Sequence, residues 1–147
     1  MIYFDNAATG GYKPKKSIEA AIYAMNNLRA NAGRSGHKLS IEAEKIIYSA
    51  RKTLCDFFGA DDPSKIIFTN NCTAALNAAI FGKFNDGDHV ITTVTEHNSV
   101  LRPLYELKRR NTIELTIVEP KTDRITFEDI MPHIKKNTAG VIVNAVS

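Results

Sequence analysis

With 147 residues, 44% of them hydrophobic and 24% charged, the chain is long enough to bury one core and too apolar for a disordered tail. Its formal charge of +3 is bunched only at Lys13-Pro14-Lys15-Lys16 and Lys108-Arg109-Arg110, which read as solvated helix ends and argue against a nucleic-acid-binding face. Cys55 and Cys72 make no disulfide framework, no apolar run approaches the roughly 18 residues of a membrane span, and Met1-Ile2-Tyr3-Phe4-Asp5 lacks a signal peptide's basic start, so a cytoplasmic protein is expected.

An extended arm comes first, and its Asp5-Asn6-Ala7-Ala8-Thr9 segment suits an Asx-type turn. Apolar residues at Ile18, Ala21, Ile22, Met25 and Leu28 predict a helix over residues 16–28. A glycine-containing polar loop over 30–38 leads to a second helix over 40–58, striped by Ala43, Ile46, Ile47, Ala50, Leu54, Phe57 and Phe58, with Ser40 as its cap and Gly59 as its stop. Ile66-Ile67-Phe68-Thr69 is short, apolar and β-rich, as for a strand covered on both faces. Asn70-Asn71-Cys72-Thr73 breaks that run, and the alanine-rich stretch to Ile80 predicts a helix starting near Thr73. Strands then follow over 89–94, 113–118 and 140–146, separated by helices over 100–110 and from a Thr126/Asp129 capping box to Lys136. From Ile66 on, this β-α-β-α-β-α-β pattern predicts a mostly parallel sheet with right-handed crossovers.

Polar groups recur where strands end. The first amides of a helix beginning at Thr73 lack intrahelical partners and carry about half a positive charge, so with the Thr73 hydroxyl they suit a phosphate or carboxylate. A plain capped helix is the other reading. Thr95-Glu96-His97-Asn98-Ser99 follows the next strand, and in an open parallel sheet both strand ends face one crevice. There His97 is either a stacking ring for a flat cofactor or a helix-start hydrogen bonder. His37, His89, Glu96 and His97 offer no helical pair of ligands, so no metal site is expected. Cys55 and Cys72 read as small apolar fillers. No glycine-rich dinucleotide fingerprint follows any strand.

Five ordered blocks carry a family resemblance. They are Tyr3-Phe4-Asp5-Asn6-Ala7-Ala8-Thr9; Asn31-Ala32-Gly33-Arg34-Ser35-Gly36-His37-Lys38-Leu39-Ser40; Ile67-Phe68-Thr69-Asn70-Asn71-Cys72-Thr73-Ala74-Ala75-Leu76-Asn77; Gly87-Asp88-His89-Val90-Ile91-Thr92; and Glu96-His97-Asn98-Ser99-Val100-Leu101. In order and spacing the chain resembles the N-terminal part of a class V aminotransferase-superfamily enzyme, in the branch of the cysteine desulfurases and selenocysteine lyases. The resemblance implies an incomplete three-layer α/β/α large domain of fold type I, with residues 1–38 as arm, helix and loop and 39–147 as the start of the domain that binds pyridoxal 5'-phosphate (PLP). It implies that Thr73, with the backbone around Cys72 and Ala74, holds the PLP phosphate and that His97 stacks on the pyridine ring. It also places Asn6 and Ala7 on an arm lining the substrate pocket, and Arg34 and His37 in a loop near the active-site mouth or a dimer contact; a local turn and a solvated loop are the competing readings.

In that family the lysine that forms the Schiff base, the aspartate that protonates the pyridine nitrogen and the sulfur-accepting cysteine all fall beyond the region matched, so the lysine is expected beyond Ser147 and no catalytic residue within the chain. The implied activity is removal of sulfur or selenium from cysteine or selenocysteine by a homo-oligomer. A class V aminotransferase, or a non-catalytic truncated chain binding a phosphorylated ligand or partner subunit, is the alternative.

Overall fold

β1 (Asp88–Thr93) is the most buried element, with His89, Thr92 and Thr93 buried beside Val90 and Ile91, and it is the middle strand of the sheet. β2 (Ile113–Val118) and β3 (Thr138–Val141) flank it in the order β2-β1-β3, and both pair with it in parallel. This is a computed structural model that describes residues 2–6 and 8–144. Ala7 and the Ala145 and Val146 end of the expected last strand lie outside the described residues. Two compact units divide the chain, Met1–Phe68 and Thr69–Ser147.

In the first unit, α1 (Lys15–Asn27) starts after Pro14 and buries none of its residues. α2 (Lys38–Phe58) ends at Gly59, whose φ of 65° is the left-handed conformation a helix stop requires. Its start corrects the expectation. His37, not Ser40, is the cap: the imidazole Nδ1 accepts the Ser40 amide at 3.3 Å. Ser40 lies inside the first turn, fully buried, and its hydroxyl donates to the Asn31 carbonyl at 2.7 Å, so it fastens the preceding loop. A 3-10 turn, Pro63–Lys65, closes the unit.

The strand expected over residues 66–69 is not formed among the described residues. Ile66 has extended backbone, but its amide bonds to the Pro63 carbonyl of the preceding turn, no strand among the described residues pairs with the segment, and Ile67 is 77% exposed. A strand is a property of a pair, and β-rich composition supplies only one member.

The second unit holds the core. α3 (Cys72–Lys83) and α4 (Asn98–Arg109) pack together, and Ile80, Phe84, Val100, Leu104 and Leu107 join Val90, Ile113 and Leu115 of the sheet in one apolar cluster. A Cβ at Gly140 of β3 would lie 2.9 Å from the Phe84 ring, so any larger residue there would have to displace that ring. Lys108 and Arg109 occupy the last turn of α4 as expected, and Arg109 and Arg110 hold the Glu106 carboxyl down to about 2 by hydrogen bonding. The Thr126/Asp129 capping box is present, yet α5 spans only Phe127–Ile130. The expected run to Lys136 gives way to a 3-10 turn at Met131–His133, because Pro132 has no amide to continue the ladder. Among the described residues no helix is long and apolar enough to cross a membrane.

His89 fastens the sheet from its middle strand. Its ring is fully buried, with Nδ1 2.8 Å from the Thr138 hydroxyl of β3 and Nε2 2.8 Å from the Thr116 hydroxyl of β2. Burial, with help from Lys135 and His133 and against Glu114, holds the imidazole below its ordinary value of 6.5. The unfolded chain therefore binds a proton that the folded chain refuses. The stability is fully present above about pH 6.5 and is lost as pH falls toward the depressed folded value, by at most about 1.4 kcal/mol per pH unit. Urea unfolding at pH 7.5 and 5.5 should show this loss in the wild type and a shallower one in His89→Gln; equal slopes would remove the assignment.

Candidate functional site

α3 and α4 begin side by side at the carboxyl end of β1. Asn71 caps α3, its Oδ1 accepting the Ala74 amide at 2.8 Å, and His97 caps α4, its Nδ1 accepting the Ser99 amide at 3.1 Å. Thr73 is thus the second residue of α3 rather than its cap, and the Ala74 amide is engaged by Asn71.

The two starts are joined by hydroxyls. Thr73 Oγ1 lies 2.8 Å from Ser99 Oγ, and Ser99 Oγ lies 2.9 Å from His97 Nδ1. Thr73 and His97 are exposed, whereas Ser99 between them is only 9% exposed. Two converging helix starts, each carrying about half a positive charge, together with an exposed hydroxyl and first-turn amides, form a donor set suited to an anion. Because Nδ1 accepts the Ser99 amide, the network assigns the proton of a neutral His97 ring to Nε2.

Glu96 fixes the turn that carries His97. Its buried carboxylate accepts the Asn144 amide and, at 3.5 Å, the Thr93 hydroxyl, while the Thr92 hydroxyl donates to the Ile142 carbonyl at 3.1 Å. The chain after β3 is thereby held against the end of β1.

Sequence reasoning placed Thr73 and His97 at one site and missed Ser99 and Glu96 as the groups that connect and hold them. Ser99 lies within the Glu96–Leu101 block, and its spacing two residues after a histidine at a helix start was the available signal. Cys72 corrects the filler reading: it is the first residue of α3 and exposed, whereas Cys55 is buried with its thiol toward the Ala60 carbonyl. Asn6, Arg34 and His37 belong to the first unit. Asn6 accepts the Gly11 amide at 3.0 Å and so holds a local turn, Arg34 is exposed in the loop, and His37 caps α2. With its ring nitrogens on two hydroxyls, His89 is a structural histidine.

A parallel α/β sheet with hydroxyl, amide and imidazole gathered at the carboxyl end of its middle strand defines an α/β protein with polar groups where open sheets form their ligand crevice. The chain belongs to the class-V aminotransferase family, which it matches over residues 2–147. It is 32% identical over 153 aligned positions to a probable cysteine desulfurase of Borreliella burgdorferi, covering 100% of this chain and 36% of that protein. The apo structure of a cysteine desulfurase from Thermococcus onnurineus NA1 superposes with a TM-score of 0.86 at 35% identity, covering 99% of this chain and 37% of that one. A C-DES mutant with glycine covalently linked to its PLP cofactor shares the fold at 21% identity and a TM-score of 0.71, over 88% of this chain and 34% of that one. The chain therefore spans little more than a third of the length of these relatives, and its short parallel sheet is that of an incomplete fold type I domain.

Proposed function

We propose that this chain is the N-terminal part of a PLP-dependent lyase of the cysteine desulfurase or selenocysteine lyase type, a cytoplasmic homodimer acting on cysteine or selenocysteine. The observation that carries the reading is the Thr73–Ser99–His97 chain, which brings a phosphate-suited helix start within two hydrogen bonds of an exposed imidazole. The donor set fits the cofactor: a dianionic phosphate matches the converging helix starts, and an imidazole face suits an electron-poor ring.

Bound there, PLP supplies an electron sink that weakens bonds to the substrate's α- and β-carbons. Thr73 binds the phosphate with the first amides of α3 around Cys72, while Ala74 contributes through the Asn71 cap that shapes the turn. His97 orients the ring and excludes water from one face. On this reading residues 39–147 open the PLP-binding domain and 1–38 form an arm and loop, with Asn6, Ala7, Arg34 and His37 as candidates for the substrate pocket. The lysine that carries the cofactor, the aspartate at the ring nitrogen and the sulfur-accepting cysteine are assigned to chain beyond Ser147.

In the full-length protein, Thr73→Val removes a hydrogen bond to a charged phosphate and is expected to weaken PLP binding by roughly 1.5–3 kcal/mol, tenfold or more. His97→Ala loses stacking of roughly 0.5–1.5 kcal/mol and shifts the cofactor spectrum. Equilibrium dialysis checks both; unchanged affinity in the pair removes the site.

A further inference from the structure

Between Thr93, the last residue of β1, and the His97 cap of α4 the chain turns through Val94, Thr95 and Glu96, and its backbone holds that turn weakly. The Glu96 amide reaches the Thr93 carbonyl only at 3.4 Å, longer than an ordinary N–H···O bond, while the Val94 amide is engaged by the Val118 carbonyl of β2. The Glu96 side chain completes the restraint. Only 9% exposed, it uses a single oxygen, Oε1, to accept the Asn144 amide and, at 3.5 Å, the Thr93 hydroxyl. A carboxylate buried on those terms costs stability that an apolar side chain of similar volume would not, so packing alone does not account for it.

Two restraints thus fix His97, and they act on different joints. Ser99 sets the ring on its helix, since its amide and its hydroxyl both meet Nδ1, at 3.1 and 2.9 Å. Glu96 sets the start of that helix on the sheet. Asn144 follows a segment placed by β1: the Ile142 amide donates to the Ile91 carbonyl at 2.9 Å, and the Ile142 carbonyl accepts the Thr92 hydroxyl at 3.1 Å. The end of β1 and the chain leaving β3 therefore form one hydrogen-bonded frame, and Oε1 ties that frame to the residue before His97.

We infer that Glu96 is a positioning residue for the cofactor site, holding His97 through Oε1 where the imidazole can lie on the PLP ring, and acting on the cofactor only through that imidazole. The inference rests on the PLP reading given above. What Oε1 supplies is an acceptor at a fixed reach rather than a charge, because both of its bonds come from neutral donors. Three substitutions separate these properties. Glutamine keeps a carbonyl oxygen at the same reach without the charge, aspartate keeps the charge one methylene short, and methionine fills the volume without a strong acceptor.

The test uses the full-length protein, with PLP affinity read by equilibrium dialysis, the bound cofactor by its circular dichroism band, and the link to His97 by a double-mutant cycle. Glu96→Met and Glu96→Asp are each expected to weaken PLP binding about two- to tenfold, as loss of His97 stacking does, and to change the dichroism band, whereas Glu96→Gln leaves both as in the wild type. Added to His97→Ala, Glu96→Met is expected to weaken binding no further; a merely structural glutamate would weaken it by the same factor with or without the imidazole. Wild-type affinity in Glu96→Met, full additivity in the cycle, or Glu96→Gln losing as much as Glu96→Met overturns the positioning role and leaves the PLP site standing. His97→Ala and Thr73→Val both binding PLP as tightly as the wild type overturns the site and the role together. Should Glu96→Met fail to fold, Glu96→Asp carries the same cycle.

Discussion

The isolated 147-residue chain is expected to unfold without a sharp cooperative transition, or to associate, when heated as a purified protein. α1 buries no residue, and α2 buries only Ser40 and Cys55 among its 21. Ile46, Ile47, Phe57, Phe58, Ile67 and Phe68 are all more than a third exposed, with Phe57 at 79%. Burying such a side chain fully is worth about 1.5–3 kcal/mol, so leaving these largely in water forgoes on the order of 5–10 kcal/mol. That sum is comparable with the whole stability of an ordinary domain, about 5–15 kcal/mol. The sheet adds to the deficit, since β2 and β3 both present an edge that no strand among the described residues covers. Further polypeptide or a second copy of the chain would supply the missing cover. Calorimetry alongside light scattering checks this: a single sharp transition in a strictly monomeric sample would show that the described contacts suffice.

The second large effect is catalytic. The same 147-residue chain, given cysteine and PLP, is expected to release no more sulfide than free PLP does. Its site offers hydroxyls, first-turn amides and an imidazole, groups that hold an anion and orient a ring but supply neither a cofactor-bearing amine nor a carboxylate at the ring nitrogen. Cys72 is exposed at the start of α3, and on the proposed reading that start holds the phosphate, away from the sulfur of a substrate. Sulfide measured above the free-PLP rate from the purified chain would place the missing groups within these residues. The full-length protein should turn over cysteine under the same conditions, which separates a failed fragment from a wrong substrate class.

Short-range features were legible in the sequence because their causes are local. Gly59 stops α2 since only a left-handed residue closes that helix, and the Thr126/Asp129 box forms within four residues of chain. The strands β1 and β2 were recognisable for a related reason, since β-branched residues fill much of each and β1 is buried along most of its length. Choosing between neighbouring caps was harder. His37 displaced Ser40 because a cap depends on the backbone of the residue before the first turn, which side-chain type does not dictate, and Asn71 caps the helix expected to start near Thr73. Pro132, inside the range expected for the last helix, was the available signal that α5 is short.

What the sequence determined by itself was the alternation of strands and helices from β1 on, the family blocks, and the placing of Thr73 and His97 where two helices start. What only the tertiary structure decided was who pairs with whom. Residues 66–69 have every intrinsic preference of a strand and form none, because the ladder needs a partner that composition does not name. Ser99 meets Thr73 across 26 residues of chain, and that contact exists only because α3 and α4 pack with their starts together. Spacing along the chain encodes the period of one element; hydrogen bonds between elements depend on how their axes are set by the core, and Val90, Leu104 and Ile80 set them here.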